Sequence, residues 1–279
     1  MPPEPAFRQV APRAASDRGT PGRPAPALSA LPPYHWWRTV FFLIPAIGVY
    51  TVVLGTVSVL STLIDRTGDF GHRCARLWAR VVLRTTGVRV DVRGLEHIDL
   101  RRSYVFAANH QSIYDIPIVF WSLPLQLRII AKASLGRFPF LGWHLQRTGH
   151  LLVDRRNPGA GILKKMSRLV LGARSLIIFP EGTRSLDGCV GRFKGGSFLL
   201  AIDTNIPVVP LSIARSRFVM RKGRLTTCPG DVTLTIHPPI PTDGVSREQA
   251  RELAERVRAI VRQEVDEMGR GVGDEVHGS

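Results

Sequence analysis

Cysteine is scarce in this chain: Cys74, Cys189 and Cys228 are the three among 279 residues. An odd number without framework spacing argues against a disulfide-stapled scaffold and points to a reducing compartment. Acidic residues are outnumbered, 22 against 38 lysines and arginines, for a net charge of +16 and a pI near 11.1. Such a balance favours a polyanionic partner, either nucleic acid or an anionic membrane surface. The sequence has no Gly-x-Ser-x-Gly elbow, and none of the cysteines sits in a recognisable catalytic signature, so protein-borne nucleophiles have no obvious seat.

Charge is missing altogether from Thr39 to Ile64, a run of 26 residues. As a helix this run reaches roughly 39 Å, enough to cross a hydrocarbon core of about 30 Å with tilt. It is too long, and begins too far from the start, for a cleaved signal peptide. Tyr34, Trp36 and Trp37 precede it as an interfacial belt, and Arg38 closes its aqueous side. Pro45 and Gly48 permit a kink, which keeps a re-entrant hairpin open beside a full span. Residues 1–33 hold nine prolines among Ala, Arg and Ser and read as a disordered basic tail. From Gly68 to Thr85, Phe70, Cys74, Leu77, Trp78, Val81 and Val82 recur at helical spacing with Arg73, Arg76, Arg80 and Arg84 among them. That pattern is a basic amphipathic helix, which either lies among lipid headgroups or packs on the globular part. Residues 34–86 are thus expected as membrane-associated helices, 87–268 as an α/β domain and 269–279 as a frayed end.

Within that domain, alternation over Val88–Gly94 opens with a half-buried strand. Apolar runs follow at 104–108, 127–132, 149–155, 175–179 and 206–213, with alternation again over 232–236 and a helix between Gly161 and Gly172. Ser246 with Gln249 caps a closing helix whose stripe of Leu253, Val257, Val261 and Val265 faces a core. No internal repeat is visible.

The domain turns on Asn109-His110-Gln111-Ser112-Ile113-Tyr114-Asp115, which follows the strand Tyr104–Ala108. An offset of five is poor for one helix face, so His110 and Asp115 can meet only across a strand-to-helix junction. Two registers fit: Ser112 and Asp115 as a capping box, or Asp115 itself as the cap ahead of Pro117. A carboxylate accepting from one imidazole nitrogen leaves the other free as a general base, and the hydroxyl it activates then belongs to a substrate. Other strands also end in polar groups: Lys132, Arg155, and Glu181 with Arg184. Cations gathered beside a base describe a site for an anionic substrate that carries a hydroxyl.

These residues carry a resemblance. NHQSIYD is similar to the His-x-x-x-x-Asp block of the glycerolipid acyltransferases, and FPEGTRS at 179–185 resembles their Glu-Gly-Thr-Arg block. GHLLVDR at 149–155, FKGG at 193–196 and IPVVPLSI at 206–213 resemble further blocks, in family order. Length and the FPEGTRS form most resemble the bacterial 1-acyl-sn-glycerol-3-phosphate acyltransferases. The resemblance implies a mixed sheet flanked by helices. It implies that His110 deprotonates the sn-2 hydroxyl of lysophosphatidic acid, which attacks the thioester of acyl-CoA or acyl carrier protein, with Asp115 orienting the base. Neither a cofactor nor a metal is implied. Lys132 and Arg184 would bind the acceptor phosphate, Arg155 would support it or the donor, and Thr183 would join them. Glu181 would order the pocket or contact the glycerol, and Gly182 would let the backbone approach the ligand.

The expected setting is the cytoplasmic side of the inner membrane, with anionic lipid as a partner and no nucleic acid. Arginines on both sides of the apolar run conflict with a single span and favour a monotopic arrangement. Two alternatives stay open: acylation of another lysophospholipid or lyso-aminolipid, and a non-catalytic membrane protein that binds anionic lipid. Thioester hydrolysis is a third.

Overall fold

The computed structural model describes residues 33–65, 67–153 and 174–270. The tail over 1–32, the helix expected between Gly161 and Gly172, Asp154 and Arg155 of the GHLLVDR block, and residues 271–279 lie outside the described residues.

The uncharged run forms helix α1, built from Pro33–Arg38, a π-helical turn Thr39–Leu43, and Ile44–Ser61. The wide turn has a cause in Pro45, which can donate no hydrogen bond and whose ring crowds the carbonyl four residues back. The Ile44 N–H instead reaches Thr39 O, five residues back, so proline enters as a π-bulge and the helix continues. Among the described residues one helix, Tyr34–Ser61, is long and apolar enough to cross a membrane. Phe41, Phe42, Val49, Val53, Val57 and Leu60 stand exposed on it. Its other side lies along the domain from end to end. Arg38 Nη2 donates to Thr86 O (3.0 Å), Trp78 Nε1 to Thr51 Oγ1 (3.0 Å), and Ser58 Oγ meets His144 Nδ1 (2.7 Å).

Helix α2, Asp69–Thr86, buries Cys74, Ala79, Val82 and Leu83 against the domain and turns Arg73, Arg80 and Arg84 outward. Of the two readings of this helix, packing on the globular part is the observed one, with the basic stripe left as its free face. Arg80 lies over the exposed Trp121 ring, 5.3 Å from its centroid.

Among the described residues seven strands follow: β1 Val88–Arg93, β2 Val105–Ala108, β3 Leu127–Lys132, β4 Leu151–Val153, β5 Ser175–Ile178, β6 Val208–Ala214 and β7 Gly230–Ile236. They form one sheet in the order β1-β7-β6-β2-β5-β3-β4. The run from β6 through β4 is parallel, β7 is antiparallel to β6, and β1 is parallel to β7. This is the mixed α/β sheet expected. Strands β2, β5 and β6 are buried at every position, as covering on both faces requires, whereas β1 and β7 alternate. On one face Phe106, Ala108, Val119 and Ile129 pack with Val82 and Leu83 of α2. On the other, Val105, Ala107 and Ile178 pack with Phe198, Leu200, Val257 and Val261, the last two from the closing helix Ala250–Arg270. Ser246 and Gln249 make the reciprocal capping box ahead of it.

Candidate active site

Parallel strands carry their C-terminal ends to one edge, so topology alone decides which loops meet. β2 ends at Asn109-His110, its neighbour β5 at the Glu181 loop, and β3, on the far side of β5, at Lys132. Asn109 fixes the first of these ends. Its side-chain amide donates to Ile213 O (2.9 Å) and its carbonyl accepts from Ile213 N–H (2.8 Å), tying the loop to β6.

The turn after β2 brings the spaced pair together. His110 Nδ1 lies 2.8 Å from Asp115 Oδ2. That oxygen also accepts the N–H of Gln111 (2.8 Å) and of Ser112 (2.9 Å). An oxygen already receiving two N–H groups acts as an acceptor for the ring, so Nδ1 donates, and in the neutral ring the lone pair is then on Nε2. Asp115 is fully buried while the His110 side chain is 13% exposed, so the imidazole alone reaches an incoming molecule. Its ring stacks on Phe179, with centroids 4.2 Å apart.

Asp115 falls in the first helical turn, and its acceptance of the Ser112 N–H is one half of the capping box, while the Ser112 hydroxyl accepts from Tyr114 N–H (3.3 Å) rather than from Asp115. Helix α3 runs Asp115–Ser122, so Asp115 is its first residue, and Tyr114, whose side chain caps nothing, precedes it. Pro117 is tolerated in the first turn, where its missing N–H would have no intrahelical partner. The carboxylate reaches back over the turn, satisfying two N–H groups ahead of the helix as well as the histidine.

Glu181 is half-buried and spent on the backbone. Oε1 accepts the His110 N–H (2.9 Å) and Oε2 the Gly191 N–H (3.1 Å). Burial raises its pKa, opposed by those two N–H donors. Gly191 has a steric reason to be glycine, since a Cβ there would lie 2.8 Å from Glu181 Oε2. Gly182 has φ +75°, a backbone conformation that favours glycine, and the nearest atom to a Cβ there would be the mobile Lys194 Nζ at 2.9 Å. Ser185 N–H donates to His110 O (2.8 Å), clasping the two loops together.

The exposed Thr183 and half-buried Arg184 line a cleft of 730 Å³ with Glu181, Lys194, Lys222 and Arg251. Among the described residues the Arg184 guanidinium has no hydrogen-bond or ion-pair partner. Lys132 is exposed at the end of β3, and Arg155 lies outside the described residues. A second, apolar cavity of 340 Å³ lies between α1 and the domain, walled by Thr51, Leu54, Gly55, Ile113, Ile116 and Leu141. Ile113 and Ile116 belong to the turn and helix that hold Asp115, and neither His110 nor Asp115 itself lines this cavity. Sequence reasoning missed Asn109, Phe179 and Lys222 as parts of the site. Five cations without an acid from Arg215 to Arg224 were the available signal for the last.

A histidine–carboxylate pair thus stands at the C-terminal edge of a mixed sheet, with a basic cleft on the Glu181 side and an apolar cavity under α1. The comparisons place the chain in a family. A family model described as Acyltransferase matches residues 89–214. The human 1-acyl-sn-glycerol-3-phosphate acyltransferase alpha is 33% identical over 195 residues, 67% of this chain and 69% of that one. A coconut (Cocos nucifera) 1-acyl-sn-glycerol-3-phosphate acyltransferase is 32% identical over 193 residues, 68% of this chain. The chain covers 62% of that relative's length. The crystal structure of the 1-acyl-sn-glycerophosphate (LPA) acyltransferase PlsC from Thermotoga maritima superimposes with a TM-score of 0.72 at 29% identity, covering 84% of this chain and 97% of that one. The chain belongs to the acyltransferase family that includes the 1-acyl-sn-glycerol-3-phosphate acyltransferases.

Proposed function

We propose that this chain is a membrane-associated 1-acylglycerol-3-phosphate O-acyltransferase, which transfers a fatty acyl group from acyl-CoA or acyl carrier protein to lysophosphatidate. The observation that carries the reading is the 2.8 Å bond between His110 Nδ1 and a buried Asp115 oxygen. That bond leaves Nε2 to take the proton of the sn-2 hydroxyl as its oxygen attacks the thioester carbonyl. Asp115 stabilises the imidazolium so formed. Collapse of the tetrahedral intermediate breaks the carbon–sulfur bond, the departing sulfur takes the proton back from His110, and phosphatidate and free thiol result. No group of the protein becomes acylated.

Binding divides by polarity. Arg184, from its loop in the basic cleft, takes the phosphate of the acceptor, with Lys132 and Arg155 as further cations. The apolar cavity takes a fatty acyl chain, whose burial supplies about 0.8 kcal/mol per methylene. The uncovered side of α1, extended by exposed Phe138 and Trp143, lies in one leaflet with the domain on the cytoplasmic side of the inner membrane. Contacts along the whole of α1 support this lying arrangement over a span with the domain at one end.

Thiol release from acyl-CoA, followed with a chromogenic disulfide, tests the reading. We expect release only when lysophosphatidate is present and slower turnover with lysophospholipids whose phosphate is capped. Release without any acceptor identifies a hydrolase, and no release with any lyso-lipid and either donor leaves a non-catalytic lipid binder.

A further inference from the structure

Lys222 lies beyond residue 214, where the family match ends, and in none of the blocks that the sequence singles out. Its ammonium nevertheless donates to Thr183 Oγ1 (2.9 Å) and to the Arg184 carbonyl (2.9 Å), two neighbouring residues of the Glu-Gly-Thr-Arg loop. An ammonium has three N–H groups and accepts nothing. One N–H therefore remains unspent. The Thr183 oxygen must be the acceptor in that bond, so its own proton is free for a third party. Lys222, Thr183 and Arg184 line the same cleft, and each of its three acids is engaged elsewhere: Glu181 has both oxygens on backbone N–H groups, Asp187 accepts from the Ser185 hydroxyl and the Cys189 N–H, and Glu255 pairs with Arg258. Among the described residues neither Lys222 nor Arg184 has a carboxylate partner. The lysine arrives on a segment, Arg215–Arg224, with five cations and no acid.

We infer that Lys222 completes the phosphate site of the acceptor: it holds the Thr183-Arg184 loop in place and gives its third N–H to the phosphate that the Thr183 hydroxyl and Arg184 guanidinium also bind. The inference rests on the reading that this cleft takes the phosphate of lysophosphatidate. A doubly anionic phosphomonoester matches two cations and a hydroxyl, and an acceptor without phosphate leaves them unpaired. Lys222 is thus a determinant of acceptor choice.

Steady-state kinetics on the full chain test this, with wild type, Lys222→Met and Lys222→Arg, varying lysophosphatidate and acyl-CoA separately and using 1-acylglycerol as the acceptor without phosphate. For Lys222→Met we expect the lysophosphatidate KM to rise about 10- to 100-fold, as loss of a charge-assisted hydrogen bond implies, with the acyl-CoA KM within about twofold of wild type and any loss of kcat/KM on 1-acylglycerol smaller than that on lysophosphatidate by about tenfold or more. Lys222→Arg should recover most of the loss. Binding provides a check independent of turnover: lysophosphatidate should raise the melting temperature of wild type and of Lys222→Arg and not that of Lys222→Met. An unchanged acceptor KM, a rise confined to the acyl-CoA KM, or an equal fall in kcat on both acceptors overturns the assignment of Lys222. A wild type that acylates 1-acylglycerol as readily as lysophosphatidate overturns the phosphate reading beneath it. Selective wild type with an unaltered Lys222→Met removes only Lys222.

Discussion

His110 owes its orientation to three separate constraints. Asp115 holds its ring nitrogen, Glu181 its backbone N–H, and Ser185 its carbonyl, while Phe179 covers one ring face. His110→Ala removes the base and leaves these loops in place, so acyl transfer should fall to background while the melting temperature stays within a few degrees. Asp115→Asn keeps the shape but turns an acceptor of ring N–H into a mixed amide, and we expect kcat to fall by about three to four orders of magnitude. Near-normal turnover in either variant rejects the dyad. Glu181 works at one remove. Glu181→Ala leaves two partly buried N–H groups without partners, which should cost about 2–4 kcal/mol in urea unfolding as well as lowering kcat. Loss of activity with unchanged stability would instead point to substrate contact. The pairing of residues 110 and 115 was legible in the sequence because an offset of five after an apolar strand has few geometric outcomes. The work of Glu181 was less so, since the same carboxylate can serve backbone or ligand, and only the position of Gly191 decides.

At the scale of elements, helix α1 is both a wall of the apolar cavity and the bearer of the uncovered surface. Filling that cavity from the helix side should act on chain length and spare the chemistry. Leu54→Trp should shift the acyl chains transferred toward shorter ones, with the rate on the short donor retained, as product analysis after mixed-donor incubation would reveal. An unchanged product profile would place the acyl chain elsewhere. The existence of α1, of α2 and of the strands at 88, 105, 127, 175, 208 and 232 was readable from periodicity and apolar runs. Strand order was not. That β7 turns antiparallel to β6 and leaves β1 beyond it depends on connections whose path no local pattern encodes. Pro45 illustrates the same limit, because a kink and a π-bulge relieve one steric conflict and tertiary contacts choose between them. The start of α3 was legible only to within two registers, since a proline at its third position is as compatible with an earlier start as with a later one.

At the scale of the molecule, three buried histidines, His72 on α2 with His144 and His150 of the domain, lie near Arg128, itself 1% exposed. His144 and His150 have ring centroids 5.5 Å apart, and His72 and His150 each lie 5.9 Å from the Phe120 ring. Burial first, and the Arg128 charge after it, hold His72 and His144 down to about 4; burial, then His144 and Arg128, push His150 well below its usual value. In the unfolded chain these imidazoles take up protons near pH 6.5. Below that pH the unfolded state binds protons that the native state refuses, so stability is complete above about 6.5 and declines toward 4. The slope is about 1.4 kcal/mol per pH unit for each histidine. Urea midpoints between pH 7.5 and 5 should therefore fall with acidity, and less steeply in His72→Phe; a flat profile would contradict the buried neutral cluster. The apolar side of α1 and the arginines Arg73, Arg80 and Arg84 of α2 are both exposed. A Phe41→Asp, Val49→Asp variant should lose sedimentation with vesicles containing anionic lipid while keeping its melting temperature, and undiminished sedimentation would remove α1 from the membrane contact.

The most direct test of the account is formation of labelled phosphatidate from labelled acyl-CoA and lysophosphatidate in vesicles, wild type beside His110→Ala. We predict product from the wild type and none above background from the variant. Product from both would contradict the account, since the imidazole would then not be the base that frees the acceptor alcohol.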